Sequence, residues 1–321
     1  MTATATEIAM RDAWGQGLVE LANEHDALVV LDGDLANSTK ADIFAAAHPD
    51  RFFEMGIAEQ NMLGVAAGLA TVGFVPWIST FAAFLAKRAL DQIRVVIAQP
   101  GLNVKMCGSY SGILTGKTGK THQSVEDIAV FRAMPHVVTI APMDAAELRL
   151  AMAAMMDDDR PTYLRLTRDP SPVLTEPGRG FTIGTSYLLR DGSDVGIIST
   201  GVQTVRALQA AELLEANHIS AAVLHVPTVK PLDVGAIVDL ASRTGAIVTA
   251  EDHTVLGGLG GAVAEVLAEH APTRMRRVGL RDTFGESGPN DALLEKYGLT
   301  PRHVALAAEE VLAGRPADVR P

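Results

Sequence analysis

Short runs of β-branched and aliphatic residues alternate along the chain with longer stretches in which apolar positions recur every three or four residues. In the first half the short runs are Ala27–Leu31, Phe74–Ile78, Asn103–Met106, Val137–Ile140 and Thr162–Leu166. Between them Ile57–Leu69, Phe81–Ala98 and Ala145–Met156 have helical periodicity, the last opened by Asp144 as an N-cap. Strands that alternate with helices in this way form parallel α/β units. The pattern pauses at Asp169–Gly180, where three prolines and two glycines in twelve residues fix too many φ angles and remove too many donors for a regular element. It then restarts. Val195–Ser199, Ala221–Val226, Ala246–Ala250 and Arg276–Val278 read as strands, and Val205–Ala216, Val234–Ser242, Ala262–His270 and a segment from Pro301 as helices. The expectation is an α/β protein of two domains, residues 1–170 and 181–321 joined by a linker over 171–180, each a mostly parallel sheet flanked by helices.

A chain of 321 residues, 48% of them hydrophobic, is long enough for two cores. The low aromatic content, 5%, with abundant Ala and Gly, favours helices packed closely on sheets over an all-β sandwich. Charge narrows the partners. Lys and Arg number 27 against 38 Asp and Glu, a net −11, which excludes a broad nucleic-acid-binding face or a surface for anionic membranes but leaves room for a local basic pocket. The most apolar region, Met62–Ile78, is broken by Gly64, Gly68, Gly73 and Pro76 and falls short of the ~20 residues that span a bilayer. Met1–Glu7 has neither the pattern of a secretory signal nor that of a transit peptide. The single cysteine, Cys107, rules out an intrachain disulfide framework and a Cys-rich zinc module, so a cytoplasmic location is expected.

Two glycine-rich stretches invite a nucleotide-binding reading and fail it. In Gly112–Thr121 the glycine required five positions before either Gly-Lys-Thr is Ser111 or Leu114. In Gly257–Gly261 the third glycine of a dinucleotide fingerprint is replaced by Val263, which leaves a tight strand-to-helix turn after Glu251-Asp252-His253. The segment Arg51–Met62 differs, because Glu59 puts a charge into a small, apolar helix. Such a glutamate is commonly a helix-surface or first-turn residue with no chemistry. Here it is followed twenty residues on by Ser79-Thr-Phe81-Ala-Ala-Phe84, whose two rings are three apart on a helical face, and then by Thr121-His122-Gln123 after a glycine-rich loop.

The ordered set resembles the C-terminal half of transketolase, its pyrimidine-binding domain followed by its C-terminal domain. The resemblance runs from about Asp12 to Ala313 and is carried by Asp34–Ser38, the Glu59 segment, Ser79–Phe84 with Leu90–Arg94, Thr121–Gln123, Leu166–Arg168, Pro227–Pro231, Glu251–His253 and Thr283–Ser287. It implies thiamine diphosphate as cofactor. Glu59 then matches the acid that hydrogen-bonds the pyrimidine N1′ and favours the tautomer able to take the thiazolium proton. Phe81 and Phe84 match the pocket around the pyrimidine ring, Asp34 a residue bordering the cofactor, and His122 a polar group for substrate hydroxyls. Ser38 and Arg168 match residues that hold the substrate's phosphate, a task suited to the bidentate guanidinium.

The Gly-Asp-Gly sequence that holds the diphosphate and Mg²⁺ in full-length transketolase is missing, since Gly33-Asp34 is followed by Leu35. The resemblance therefore implies a separate N-terminal-half subunit that brings those ligands, in an α2β2 heterotetramer. Other departures touch the substrate. Thr118 stands where an aspartate bonds a substrate hydroxyl, Tyr110 where a histidine contacts phosphate, and Lys87 where an aromatic residue lies near the pyrimidine. Lys117 and Lys120 add positive charge to the same loop, either for a more anionic substrate or as solvated lysines. The leading expectation is a split transketolase subunit that, with its partner, moves a two-carbon ketol unit from a phosphorylated ketose to an aldehyde. A 1-deoxyxylulose-phosphate-synthase-like enzyme, the β subunit of a 2-oxo-acid dehydrogenase, and a noncatalytic scaffold stand as alternatives.

Overall fold

The computed structural model describes residues 6–314. Its strands are β1 (Glu7–Ala9), β2 (Leu28–Asp32), β3 (Phe52–Glu54), β4 (Val75–Phe81), β5 (Lys105–Ser109), β6 (Val138–Ile140), β7 (Thr162–Arg165), β8 (Pro170–Pro172), β9 (Tyr187–Arg190), β10 (Val195–Ser199), β11 (Ala221–His225), β12 (Thr228–Lys230), β13 (Ala246–Thr254) and β14 (Arg274–Leu280). A seven-stranded sheet runs β12-β6-β7-β5-β4-β2-β3 and a five-stranded one β14-β13-β10-β11-β9. In the first, β12 is the antiparallel edge, and in the second β9 is. All other neighbours are parallel.

The sequence Leu-Val-Val-Leu-Asp of β2 is buried at every position, as a strand covered on both faces requires. Alternate residues go to opposite cores. Leu28 and Val30 join a cluster with Trp14, Phe44, Trp77 and Met152, while Val29 and Leu31 join one with Met62, Leu63, Phe131 and Tyr163. The first cluster continues through Val195, Ile197 and Val248, so one face of each sheet contributes to a single apolar core between the two halves. The helix Ala145–Met156 starts at Asp144, whose Oδ1 accepts from Ala146 N and Glu147 N at 3.0 and 2.9 Å. Its Oδ2 accepts from Leu174 N and Thr175 N, both at 2.7 Å, and fastens the connecting segment to the helix start.

Three expectations are corrected. The proline-rich segment does contain a regular element, because Pro170–Pro172 pairs antiparallel with Glu7–Ala9. The ribbon has two strands, so each is an edge and tolerates the missing donors. The long helix over Phe81–Ala98 is divided: Phe81 is the last residue of β4, the α-helix covers Ala82–Arg88, a single turn Leu90–Gln92 follows, and Ile93–Ala98 is a π-helix. Widening to the π form keeps Ile93 and Ile97 buried after the turn, so apolar periodicity persists while the backbone changes. Finally, the second half lends a strand to the first sheet. Thr228–Lys230, from Pro227–Pro231 in the second half, crosses to pair with β6 in the first sheet, and Ala141 N donates to Pro227 O at 2.8 Å.

Candidate active site

The chain runs from β2 outward to β3 and then returns to β4 on the other side of β2, so strand order reverses between β2 and β4. Ligands of open α/β sheets bind at the carboxyl ends of strands beside such a reversal. Asp34 follows β2, Phe81 ends β4 and Tyr110 follows β5, all at that edge. Asp34 and Tyr110 take φ angles of 64° and 60°, in a region that costs a side chain about 1–2 kcal/mol. Contacts hold Tyr110 there. Its ring stacks on Phe81 at 4.0 Å between centroids, and its hydroxyl accepts from Arg11 Nη1 at 3.1 Å.

Glu59 is the first residue of the helix Glu59–Thr71, where a carboxylate suits the helix dipole. Its side chain is fully buried, and Arg88 Nη1 donates to Oε1 at 2.8 Å and to Oε2 at 2.7 Å. That guanidinium lies over the Phe84 ring, 4.7 Å from its centroid, and is 42% exposed. Phe84 in turn lies 5.8 Å from Phe81, and His122 stands edge-on to both rings at 5.8 and 5.3 Å. His122 Nδ1 is within 2.8 Å of Thr121 Oγ1. The phenylalanines meet, but through a strand end and a helix start rather than along one helical face.

Arg168 forms the other flank. It donates to Asp169 Oδ1 at 2.7 Å, and its guanidinium carbon is 5.6 Å from the Tyr110 ring centroid. Arg11 Nη1, besides its bond to Tyr110, donates to Ser38 O at 3.2 Å, and the Ser38 hydroxyl donates to Asn37 Oδ1. Asp34 N donates to Glu54 Oε1 at 2.8 Å. Beneath it Asp32 is buried, which pushes its carboxyl up to about 6, with Glu54 adding to the rise and the Leu35 N–H opposing it.

Glu59, Phe81, Phe84, Tyr110 and His122 thus share one pocket, with Arg168 on its Tyr110 side. Lys87 does not join them, because its ammonium pairs with Glu126 at 2.7 Å. Thr118 is exposed and turns its hydroxyl toward Thr115 Oγ1, 2.9 Å away. Two arginines stand in the pocket that the sequence reading passed over. Arg88 follows Phe84 by four positions on the same helix, a spacing that was available to find it. Arg11 lies 99 residues from Tyr110, and nothing local announces that contact.

A mostly parallel α/β domain with an acid and an aromatic shelf at its strand-order reversal, joined to a second such domain, defines a class that the family comparisons identify. Residues 6–172 match the transketolase pyrimidine binding domain and residues 184–304 the transketolase C-terminal domain. The chain belongs to the transketolase family. It is 45% identical over 302 residues to the 6-deoxy-6-sulfo-D-fructose transketolase subunit SqwH of Clostridium sp. (strain MSTE9), covering 94% of each chain. It is 36% identical over 310 residues to the transketolase of Homo sapiens, covering 95% of this chain and 49% of that one. The solved structure of a split gene transketolase, an inactive beta4 tetramer, matches with a TM-score of 0.90 and 47% identity, over 96% of this chain and 100% of that one. No helix among the described residues is long and apolar enough to cross a membrane.

Proposed function

We propose that the chain is one subunit of a two-chain, thiamine diphosphate-dependent transketolase that transfers a two-carbon ketol unit from a phosphorylated ketose to an aldehyde. The observation that carries this reading is the buried Glu59 carboxylate beside the Phe81–Phe84–Tyr110 shelf at the carboxyl ends of β2, β4 and β5. The pocket suits an aminopyrimidine. The guanidinium of Arg88, a flat group, lies on Phe84 within hydrogen-bond distance of both Glu59 oxygens, so the place beside the acid and over the ring accepts a planar polar group such as an aminopyrimidine. The cofactor supplies an electron sink for cleaving a carbon–carbon bond beside a carbonyl.

Glu59 would hydrogen-bond the ring nitrogen of a bound cofactor and favour the tautomer able to take the thiazolium proton, with Phe81 and Phe84 flanking the ring. His122, held by Thr121, bonds the sugar hydroxyls, while Arg168 and Ser38 hold the phosphate at the Tyr110 side. Asp34 borders the same cleft. Mg²⁺ and the diphosphate are held mainly by an N-terminal-half subunit carrying Gly-Asp-Gly, in an α2β2 assembly. Two facts support a partner: a relative matched over 94% of its length bears the name of a subunit, and apolar Phe53, Ile57, Val65 and Val72 lie exposed around the Glu59 helix. The test is calorimetric titration of thiamine diphosphate and Mg²⁺ into this chain alone and into its mixture with the partner, followed by a ketose phosphate. Binding and donor cleavage in the mixture alone are expected. An assembled pair that binds no cofactor makes the chain a scaffold, and one that consumes pyruvate instead of a ketose moves it to a sister activity.

A further inference from the structure

The loop between β5 and the helix Asp127–Ala133 carries Tyr110, Thr118 and His122, and much of its backbone is fastened to the second half of the chain. Ile113 N donates to Asp252 Oδ1 at 3.2 Å, and Gly288 N donates to Gly116 O at 3.2 Å. Gln123 Nε2 donates to Glu286 O at 3.0 Å. The fit is close on both sides. A Cβ at Gly112 would overlap the Asp252 carboxylate, at a φ of 70° that already favours glycine, and a Cβ at Gly285 would overlap the Gln123 amide.

One side chain of the second half touches both this loop and the residue that follows Arg168. Asn290 Nδ2 donates to Leu114 O at 3.2 Å in the loop, and also to Asp169 Oδ2. The other oxygen of Asp169 receives Arg168 Nη1 at 2.7 Å. Asn290, the first residue of the helix Asn290–Lys296, therefore fixes the carboxylate that aims the guanidinium while it fixes the loop. Asp169 competes with any anionic substrate group for Arg168, so its orientation sets how freely the guanidinium meets that group.

We propose that Asn290 is a positioning residue for substrate recognition, and that the second half of the chain acts on the reaction through it. This rests on the reading of Arg168 as the phosphate contact. It assigns the second half a part in specificity through the hydrogen bonds of Asn290 to Leu114 and Asp169. Asn290→Ala removes both hydrogen bonds, and Asn290→Asp keeps the volume while its ionised carboxylate donates nothing and repels Asp169.

The experiment uses the full chain for hydrogen exchange over residues 113–119 and the assembled two-chain enzyme for kinetics. Both variants are expected to speed loop exchange about tenfold. In the assembled enzyme they raise KM for a phosphorylated donor about tenfold, leave KM for an unphosphorylated donor and the affinity for thiamine diphosphate within about twofold, and lower kcat little. If Asn290→Ala does not fold, Asn290→Asp alone decides. Equal losses for both donors, or unchanged exchange and an unchanged KM ratio, overturn the proposal. Should the wild-type pair cleave no ketose, the transketolase reading fails, and the exchange arm then decides whether Asn290 holds the loop.

Discussion

Two glutamates occupy the first turns of helices in the first half of this chain, both fully buried and both bonded to an arginine, yet they are built for different purposes. Glu147, in Ala145–Met156, accepts from Met143 N at 2.7 Å, faces His225 Nε2 at 2.8 Å and accepts from Arg179, whose side chain is 15% exposed. His225 passes the chain on to Thr204 at 2.8 Å, and Thr204 to Ser199 at 3.0 Å, all buried between the halves. Glu59 has Arg88, and Arg88 is 42% exposed. A carboxylate secured by backbone, imidazole and guanidinium is a fixture. One whose partner reaches in from solvent is placed to exchange that partner for a ligand. The common reading of a glutamate in a first turn, helix support without chemistry, describes Glu147, where Met143 N completes a capping arrangement.

The sharpest break between the two is expected from Glu59→Ala. In the assembled enzyme it lowers turnover by about 10²–10⁴-fold, the range for losing a positioned acid, while stability changes by no more than about 1 kcal/mol, because Arg88 is left near solvent. Donor-cleavage rates with thermal unfolding of the same preparation check this, and turnover near the wild-type value removes Glu59 from the mechanism. Glu147→Ala reverses the signature. It removes the buried carboxylate that both Arg179 and His225 bond and costs about 3–5 kcal/mol by denaturant unfolding, with the rate per folded molecule unchanged. A cost under about 1 kcal/mol contradicts the fixture.

Much of this architecture could be read before any coordinate, and the unread part has a physical pattern. Local periodicity located Val195–Ser199 and Ala145–Met156 to the residue, together with the Asp144 cap, because burial on fixed faces and a capping carboxylate are properties of neighbours in sequence. It gave no sign that Thr228–Lys230 would cross to the other sheet, since an edge strand's destination depends on a partner 88 residues away. The same holds at the pocket. Glu59, Phe81, Phe84 and His122 were marked by residue type in an ordered set, whereas Arg11 reaches Tyr110 from a distant helix. Lys87 and Arg88 are adjacent, and only the helix rotation decides that one meets Glu126 and the other Glu59.

Arg168→Ala separates binding from chemistry on the exposed side of the comparison. It is expected to raise KM for a phosphorylated donor about 100-fold, with unphosphorylated donors and unfolding temperature nearly unaffected, as befits a guanidinium 36% exposed and bonded to one carboxylate. Steady-state kinetics with a matched pair of donors provide the check. An equal rise for both donors takes the phosphate role from Arg168.

The smallest effect lies in the pH dependence of stability, where the two regions have opposite slopes. Burial pushes the Glu147 carboxyl up, but His225, the Met143 N–H and Arg179 outweigh it and hold the group below its ordinary 4.5. Its contribution is therefore present above about pH 4.5 and is lost as the pH falls through the folded value. Asp32, beneath the pocket, goes the other way: its folded value of about 6 lies above the ordinary 3.8, so the folded chain keeps a proton that the unfolded chain has released. Stability from this group falls as pH rises from 4 to 6, by about 2 kcal/mol, and is level above that window. Asp32→Asn, which retains an acceptor for the Leu35 N–H, removes that slope. Unfolding free energies of wild type and variant at intervals between pH 4 and 7 are expected to diverge up to pH 6 and then run parallel. A difference independent of pH would place Asp32 with the fixtures, ionised like Glu147, and erase the electrostatic contrast between the two regions.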